Sequence, residues 1–150
     1  MRHAVRALRA GSYLWALPVT LFGLGLAGCA LLSGGRVRRV SGVLEAHGGA
    51  AAVLLRRFVP LRGGASAMTL GHVVLGRDAG ALERTRVHER AHVRQCERWG
   101  VLFIPAYALA SALAAARGRH YYRDNCFERE AVAAADAATR VRRGLSPRDR

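Results

Sequence analysis

The sequence predicts an α+β chain: an N-terminal transmembrane helix, a small antiparallel meander of three or four strands, and then three helices. Three observations carry this. Residues 13–32 read YLWALPVTLFGLGLAGCALL, twenty positions without a charge. From residue 34 to residue 75, short runs rich in valine and leucine alternate with glycine and proline, the texture of strands and turns. Beyond Asp78 that texture disappears, and three longer segments each stop at a glycine, Gly100, Gly118 and Gly144.

The first segment follows Arg2, Arg6 and Arg9, and twenty helical residues rise about 30 Å, the thickness of a bilayer's hydrocarbon core. Residues 1–33 are therefore read as a single-pass membrane anchor, with membrane lipids as partner. A rival reading stands beside it. Leu26-Ala27-Gly28-Cys29 resembles the lipobox of bacterial lipoproteins, in which cleavage leaves a lipid-modified Cys29 at the new amino terminus. Apolar residues continue past Cys29, which favours the uncleaved anchor. Arg36, Arg38 and Arg39 follow the segment as closely as the first arginines precede it, so the positive-inside rule assigns no orientation.

Arg36–Val40 and Val43–His47 read as two strands around a Ser41-Gly42 turn, with glycine supplying the positive φ that tight hairpins need. Ala51–Val59 reads as a third strand and Ala67–Leu75 as a fourth. Helices are predicted over Ala79–Trp99, Pro105–Ala116 and Asn125–Arg143. Val101–Ala116 is uncharged for sixteen residues, about 24 Å of helix and short of a full span. It reads as a core helix, with a helix dipping into the membrane surface as the alternative. Residues 34–144 then form one domain and residues 145–150 a basic tail.

All 24 cationic side chains are arginine, against 10 acidic ones, for a net charge of +14. The arginines are scattered from Arg2 to Arg150 with few aromatics between them and no zinc-finger, RNP or homeodomain spacing, so nucleic acid is not a predicted partner. Three widely spaced cysteines, Cys29, Cys96 and Cys126, imply no disulfide framework.

The chemistry lies at residues 88–92, His-Glu-Arg-Ala-His, an HExxH pattern. Two histidines four apart project from one helical face and can share a zinc ion, while Glu89 can take a proton from a zinc-bound water. At about 100° per residue, Ala81, Leu82, His88, Glu89, His92, Val93, Cys96 and Trp99 fall on one half of the helix. Glu83, Arg86, Arg90, Arg94, Glu97 and Arg98 fall on the other. The motif is thus on the inward face, where an ionised Glu89 beside two imidazoles needs a compensating cation. A metal-free histidine and glutamate cluster in the core is the bland alternative.

A zinc site needs a third protein ligand. A metzincin histidine is excluded, because position 98 is Arg98 and position 95 is Gln95. Cys96 lies about 12 Å along the axis from His88, too far to share its ion. The ligand must come from another element, and the next acidic cluster is Asp124–Glu130, opening the last helix.

This arrangement resembles the gluzincin class of zinc metallopeptidases, in which a glutamate on a helix following the HExxH helix completes the site; the resemblance implies a minimal zincin-like domain. In several gluzincin families the ligand glutamate is followed three residues later by alanine, as Glu128 is by Ala131; Val132 stands where an aspartate often comes next. Glu130 is the alternative ligand, and Glu128 also fits a capping box behind Asn125. The longer strings HERAHVRQCERWG, FIPAY and YYRDNCFEREA are similar to short bacterial membrane-anchored proteins with HExxHxxQ and a downstream NPFEREA-like segment. That similarity implies a bacterial inner-membrane location. Cys126 replaces the expected proline, at the loop that sets Glu128.

The resemblance implies a peptidase in which zinc on His88, His92 and Glu128 activates water, with Glu89 as general base, against a peptide or protein substrate. His120, Tyr121, Tyr122 and Arg123 are candidate oxyanion donors, and Gln95 can support His92 from behind. By analogy Thr69–Leu75 is a substrate-binding edge, with His72 a candidate cleft residue. The Arg86, Arg90, Arg94 and Arg98 column is a solvated face or a contact for anionic lipid. The non-enzymatic alternative is a membrane protein in which a structural metal, or the histidine cluster, staples helices together.

Overall fold

A computed structural model describes residues 15–61 and 63–144. The first part of the predicted anchor and the 145–150 tail lie outside the described residues. Among the described residues the chain runs α1 (Leu17–Leu32), β1 (Arg36–Val40), β2 (Val43–His47), α2 (Gly49–Arg57), β3 (Ala67–Leu70) and β4 (Val73–Gly76). It continues through α3 (Ala79–Trp99), a 3-10 turn (Gly100–Leu102), α4 (Phe103–Ala116) and α5 (Cys126–Arg142). The α+β class and the three late helices agree with the sequence reading; the sheet differs in three respects.

The segment predicted as a third strand is helix α2. Ala51 and Leu55, four apart, are buried while Val53, Arg56 and Arg57 face outward, a helical period that the short apolar run concealed. Arg56 and Arg57 in its last turn also suit the negative end of the helix dipole. The predicted strand Ala67–Leu75 is two strands, β3 and β4, folded at Gly71-His72. Gly71 has φ +63°, at the first central position of the two-residue loop, where a II′ hairpin turn calls for glycine.

The sheet is consequently not an antiparallel meander. Its order is β1-β2-β4-β3, with β4 parallel to β2 and antiparallel to β3. Helix α2 makes the crossover between the hairpins. β1 and β3 are the two edge strands.

The sheet is the middle of three layers. Val73 and Leu75 point to one face, where they pack with Leu55 of α2 and with Val19, Ala27 and Ala30 of α1. Val74 points to the other and packs with Val43, Leu82 and Val93, under α3. Central strand β4 is buried on both faces, and each such fully buried valine or leucine contributes about 1.5–3 kcal/mol. A third cluster, Cys96, Phe103 and Phe127, joins α3, α4 and α5.

Helix α1 is thus part of the core. It approaches the sheet through small residues. A Cβ on Gly23 would lie 2.8 Å from the carbonyl of Leu70 and 2.9 Å from the Cβ of Val73. Thr20 accepts a hydrogen bond from the backbone N–H of His72 in the β3–β4 turn. The larger side chains point the other way: Leu21, Phe22, Leu31 and Leu32 are exposed. With 16 residues α1 is about 24 Å long and is not by itself an obvious span.

The helical run Ala79–Ala116 is long and apolar enough to cross a membrane, judged by length and composition, and its most apolar window is largely exposed. Its charged first part, α3, is packed against the sheet; the uncharged part begins at Val101. The core-helix reading of Val101–Ala116 holds only for one side, because Phe103 and Ala114 are buried whereas Leu102, Ile104, Leu109 and Leu113 are exposed.

Candidate metal centre

Asp78 caps α3, its carboxylate accepting from the backbone N–H of Ala81 at 2.7 Å, and Gly100 ends it with φ +55°. The helix thus runs uninterrupted through the HExxH motif, and its buried side carries Glu89, His92, Val93, Gln95 and Cys96. The arginine column opposite is mostly engaged within the fold rather than free. Arg86 pairs with the buried Glu45 at 3.0 Å, Arg90 donates to the carbonyls of Val40 and Ser41, and Arg98 pairs with Glu130 at 2.7 Å.

Helix α5 brings the third donor. Asn125 is fully buried as its N-cap: Oδ1 accepts from the N–H of Phe127 at 2.9 Å, and Nδ2 donates to Tyr107 O and Ser111 Oγ. One side chain therefore starts α5 and fixes it against α4. Cys126 takes the first helical position, where proline is also favoured, so the departure from the expected proline leaves the entry of α5 intact. Glu128, in the first turn, faces the two histidines rather than closing a capping box.

His88, His92 and Glu128 form a group of metal-capable donors, half-buried, buried and buried respectively. Nε2 of His88 and Nε2 of His92 are 3.1 Å apart. Glu128 Oε1 is 3.2 Å from His92 Nε2, and Glu128 Oε2 is 3.2 Å from His88 Nε2. Four ligands at zinc distances and tetrahedral angles stand about 3.3 Å from one another, so these three donors match one face of such a tetrahedron. Buried Glu128 Oε2 has no hydrogen-bond partner, its approach to His88 lacking the required geometry. A cation satisfies that oxygen and relieves the repulsion of converging lone pairs.

The supporting contacts explain which atoms face inward. Nε2 of Gln95 donates to the carbonyl of Phe127 and to Glu130 Oε2, both at 3.0 Å, and both partners can only accept. That fixes the amide, leaving Gln95 Oε1 2.8 Å from His92 Nδ1. Nδ1 therefore carries the proton, and Nε2 presents its lone pair to the other donors. Glu130, the alternative ligand, is half exposed and bound to Gln95 and Arg98, so it belongs to the support and not to the triad. Tyr107 donates to Glu128 Oε1 at 2.7 Å.

Glu89 is buried beside the triad. Thr69 on β3 donates to its Oε2 at 2.7 Å. Burial pushes the Glu89 carboxyl above its ordinary range, opposed by the nearby His92 and by the Thr69 hydrogen bond. Glu128 behaves oppositely: burial disfavours its charge, but the adjoining His88 and His92 imidazoles and the Tyr107 hydroxyl outweigh it and hold the carboxyl far below the usual range. Two glutamates that line one cavity are thus tuned in opposite directions, one towards holding a proton and one towards staying charged.

The triad opens on a cavity of about 430 Å³, floored by His88, Glu89, His92 and Glu128 and walled by β3, the α2–β3 loop and α4. Tyr121 and Tyr122 line it. Tyr122 lies beside Glu128; burial first, then that negative charge, pushes its phenol well above the normal range, so it remains a donor. The Tyr121 hydroxyl is turned to the carbonyl of Pro60 at 2.7 Å, bridging the two rims of the mouth. His120 stacks on Tyr121 and its Nδ1 accepts from the N–H groups of Tyr122 and Arg123, shaping the loop rather than lining the cavity. His72 is away from the cleft, between Thr20 and Glu97, and so ties α1 to α3. Cys96 is sealed in the core, its thiol pushed up to about 11 by burial. Cys29 is exposed on α1, at a separate apolar cavity between α1 and α2.

Asn125 is the N-cap that the sequence suggested, whereas its bonds to α4 and the role of Tyr107 were not foreseen. Tyr107 carries the one aromatic hydroxyl on the uncharged stretch Val101–Ala116, a signal that was readable in the sequence. The pairing of Thr69 with Glu89 depends on the sheet order and was not readable. Comparison of the chain with protein-family models, with curated proteins and with solved structures finds no match.

Proposed function

We propose that the chain is a membrane-attached, gluzincin-like zinc metallopeptidase that holds zinc on His88, His92 and Glu128 and uses Glu89 as general base. The observation that carries this reading is the convergence of three donors at tetrahedral-edge distances on the floor of an open cleft, next to a buried carboxylate. A zinc ion in that position polarises a peptide carbonyl and lowers the pKa of a water molecule towards 7. The chain's own groups supply the remaining steps. Glu89, raised towards neutrality, accepts a proton from the attacking water and passes it to the leaving amine, while Thr69 keeps its carboxylate oriented. Tyr122 is placed to donate to the oxyanion. Gln95 and Tyr107 hold His92 and Glu128 in the liganding geometry.

The membrane attachment rests on the uncharged helices α1 and α4, whose large side chains face outward. A metal that only staples helices is less well supported. The α3–α5 joint is already held by Gln95 to Phe127 and Arg98 to Glu130, and His88 opens to the cavity.

The test uses the full chain purified in detergent, with zinc per chain and peptide-library cleavage measured side by side. One zinc in the wild type, loss of zinc in His88→Ala and Glu128→Ala, retention in Glu130→Ala, and loss of cleavage alone in Glu89→Gln are the expected results. No bound zinc in the wild type refutes the metal site. Tightly bound zinc with no cleavage of any library peptide refutes the peptidase and leaves the staple.

A further inference from the structure

Resting on the peptidase reading, the substrate itself can be narrowed. In a helix surrounded by water, large apolar residues turn inward and small or polar ones outward. Helix α1 is inverted, and α4, which buries Phe103, carries large apolar residues on its outer side as well. α1 buries Val19, Gly23, Ala27 and Ala30 and exposes Leu21, Phe22, Leu31 and Leu32. α4 and the turn before it expose Leu102, Ile104, Leu109 and Leu113. Trp15, just before α1, lies against Gly100 in the 3-10 turn that leads into α4. An unpartnered apolar surface of this kind on uncharged helices suits hydrocarbon.

Charge names the occupant. The uncharged run of α4 ends at Ala116 and is followed by Arg117, Arg119 and Arg123, all exposed. Trp15 and Trp99, both partly exposed at the other end of α4, are the residue type that favours the headgroup level. Apolar helices flanked by free arginines match a bilayer with anionic headgroups.

The same helix walls the metal cleft. Ile104 is half exposed on the outer surface and also lines the cavity, next to Tyr107 and across from Val59 and Leu61. The apolar surface therefore runs without interruption from the outside of α4 into the cleft. We propose that the cleft opens at the membrane surface and takes an apolar segment of a membrane-held polypeptide, which enters past Ile104.

The test uses the full chain with Glu89→Gln, which retains the metal without turnover, in vesicles of phosphatidylcholine and phosphatidylglycerol. An environment-sensitive fluorophore is placed at Ile104→Cys, at Leu109→Cys or, as control, at Glu83→Cys, with Cys29 and Cys126 replaced by serine. Lipids brominated on their acyl chains are expected to quench the labels at 104 and 109 and to spare the label at 83. Two peptides with one apolar sequence, one fused to a transmembrane segment and one free, are then added. The tethered peptide is expected to shift the label at 104 at a concentration about tenfold lower or less. Absence of quenching at 104 and 109 overturns the membrane-facing cleft. Equal response to the two peptides, or a response to a polar tethered peptide as large as to the apolar one, overturns the substrate assignment. Because no readout depends on hydrolysis, these failures are distinct from failure of the peptidase reading, which zinc and cleavage assays report.

Discussion

Gln95 offers the sharpest test of the site, because its carboxamide is fully buried and both ends are used. In Gln95→Leu the side chain keeps nearly the same bulk but loses three contacts: the acceptor for His92 Nδ1 and the donors to Phe127 O and Glu130 Oε2. Glu130 keeps Arg98 and the carbonyl of Phe127 keeps the N–H of the next turn of α5, so the lasting cost falls on His92 Nδ1, left buried without a partner. The metal-free domain should therefore lose about 1–3 kcal/mol. Without Gln95, His92 can also turn or take the other tautomer, and loss of such a support lowers metal affinity by about 10–100-fold. Urea denaturation of the metal-free protein and competition titration with a zinc chelator measure the two effects separately. Zinc affinity within about twofold of wild type in a variant that is still folded refutes the tautomer argument. A stability change below about 1 kcal/mol refutes the burial argument.

Four further outcomes follow from the same contacts. Metal-free Glu89→Gln should gain stability over wild type as pH rises. Both states of the wild type hold the proton below about pH 4, and above it the unfolded carboxyl ionises while the raised folded one resists; a flat difference in Tm between pH 4 and 8 counts against this. Cys126→Pro should stabilise by about 0.4–1 kcal/mol, since Asn125 before it already has φ −65° and ψ 131°, the extended conformation that precedes proline; a lower Tm contradicts it. Gly23→Val should cost about 1–3 kcal/mol or detach α1, because its first added carbon meets Leu70 and Val73, and wild-type Tm would reject the packing of α1. Mass spectrometry should find an amino terminus uncut at Cys29, because cleavage there removes Val19, Gly23 and Ala27 from the core; a lipid-modified Cys29 as first residue is the contrary result.

Much of the site was legible because helical spacing is rigid. The four-residue step from His88 to His92 and the inward position of Gln95 follow from one period, and the helix on Asn125 follows from its cap. The choice of Glu128 over Glu130 was not legible in the wheel, since both flank the apolar face of α5; it depends on how α5 leans on α3. The sheet was less legible. The nine-residue segment that forms α2 has no charge to mark its period until Arg56, and Gly71 within a valine-rich stretch is equally compatible with a bulge or a turn. Strand order was the least accessible, because parallel pairing of β2 with β4 depends on a crossover that only exists once α2 is recognised as a helix.

The packing of Gly23, Ala27 and Ala30 beneath the sheet makes α1 inseparable from the folded body. Many membrane-tethered enzymes join a catalytic body to its tether by a linker, and a single cut sheds a working soluble form. Here a cut after Ser33 would strip one layer from Val73 and Leu75 and expose the central strand. On the membrane-attached reading proposed above, shedding would be closed as a means of control, and the range of action would be confined to whatever shares that membrane.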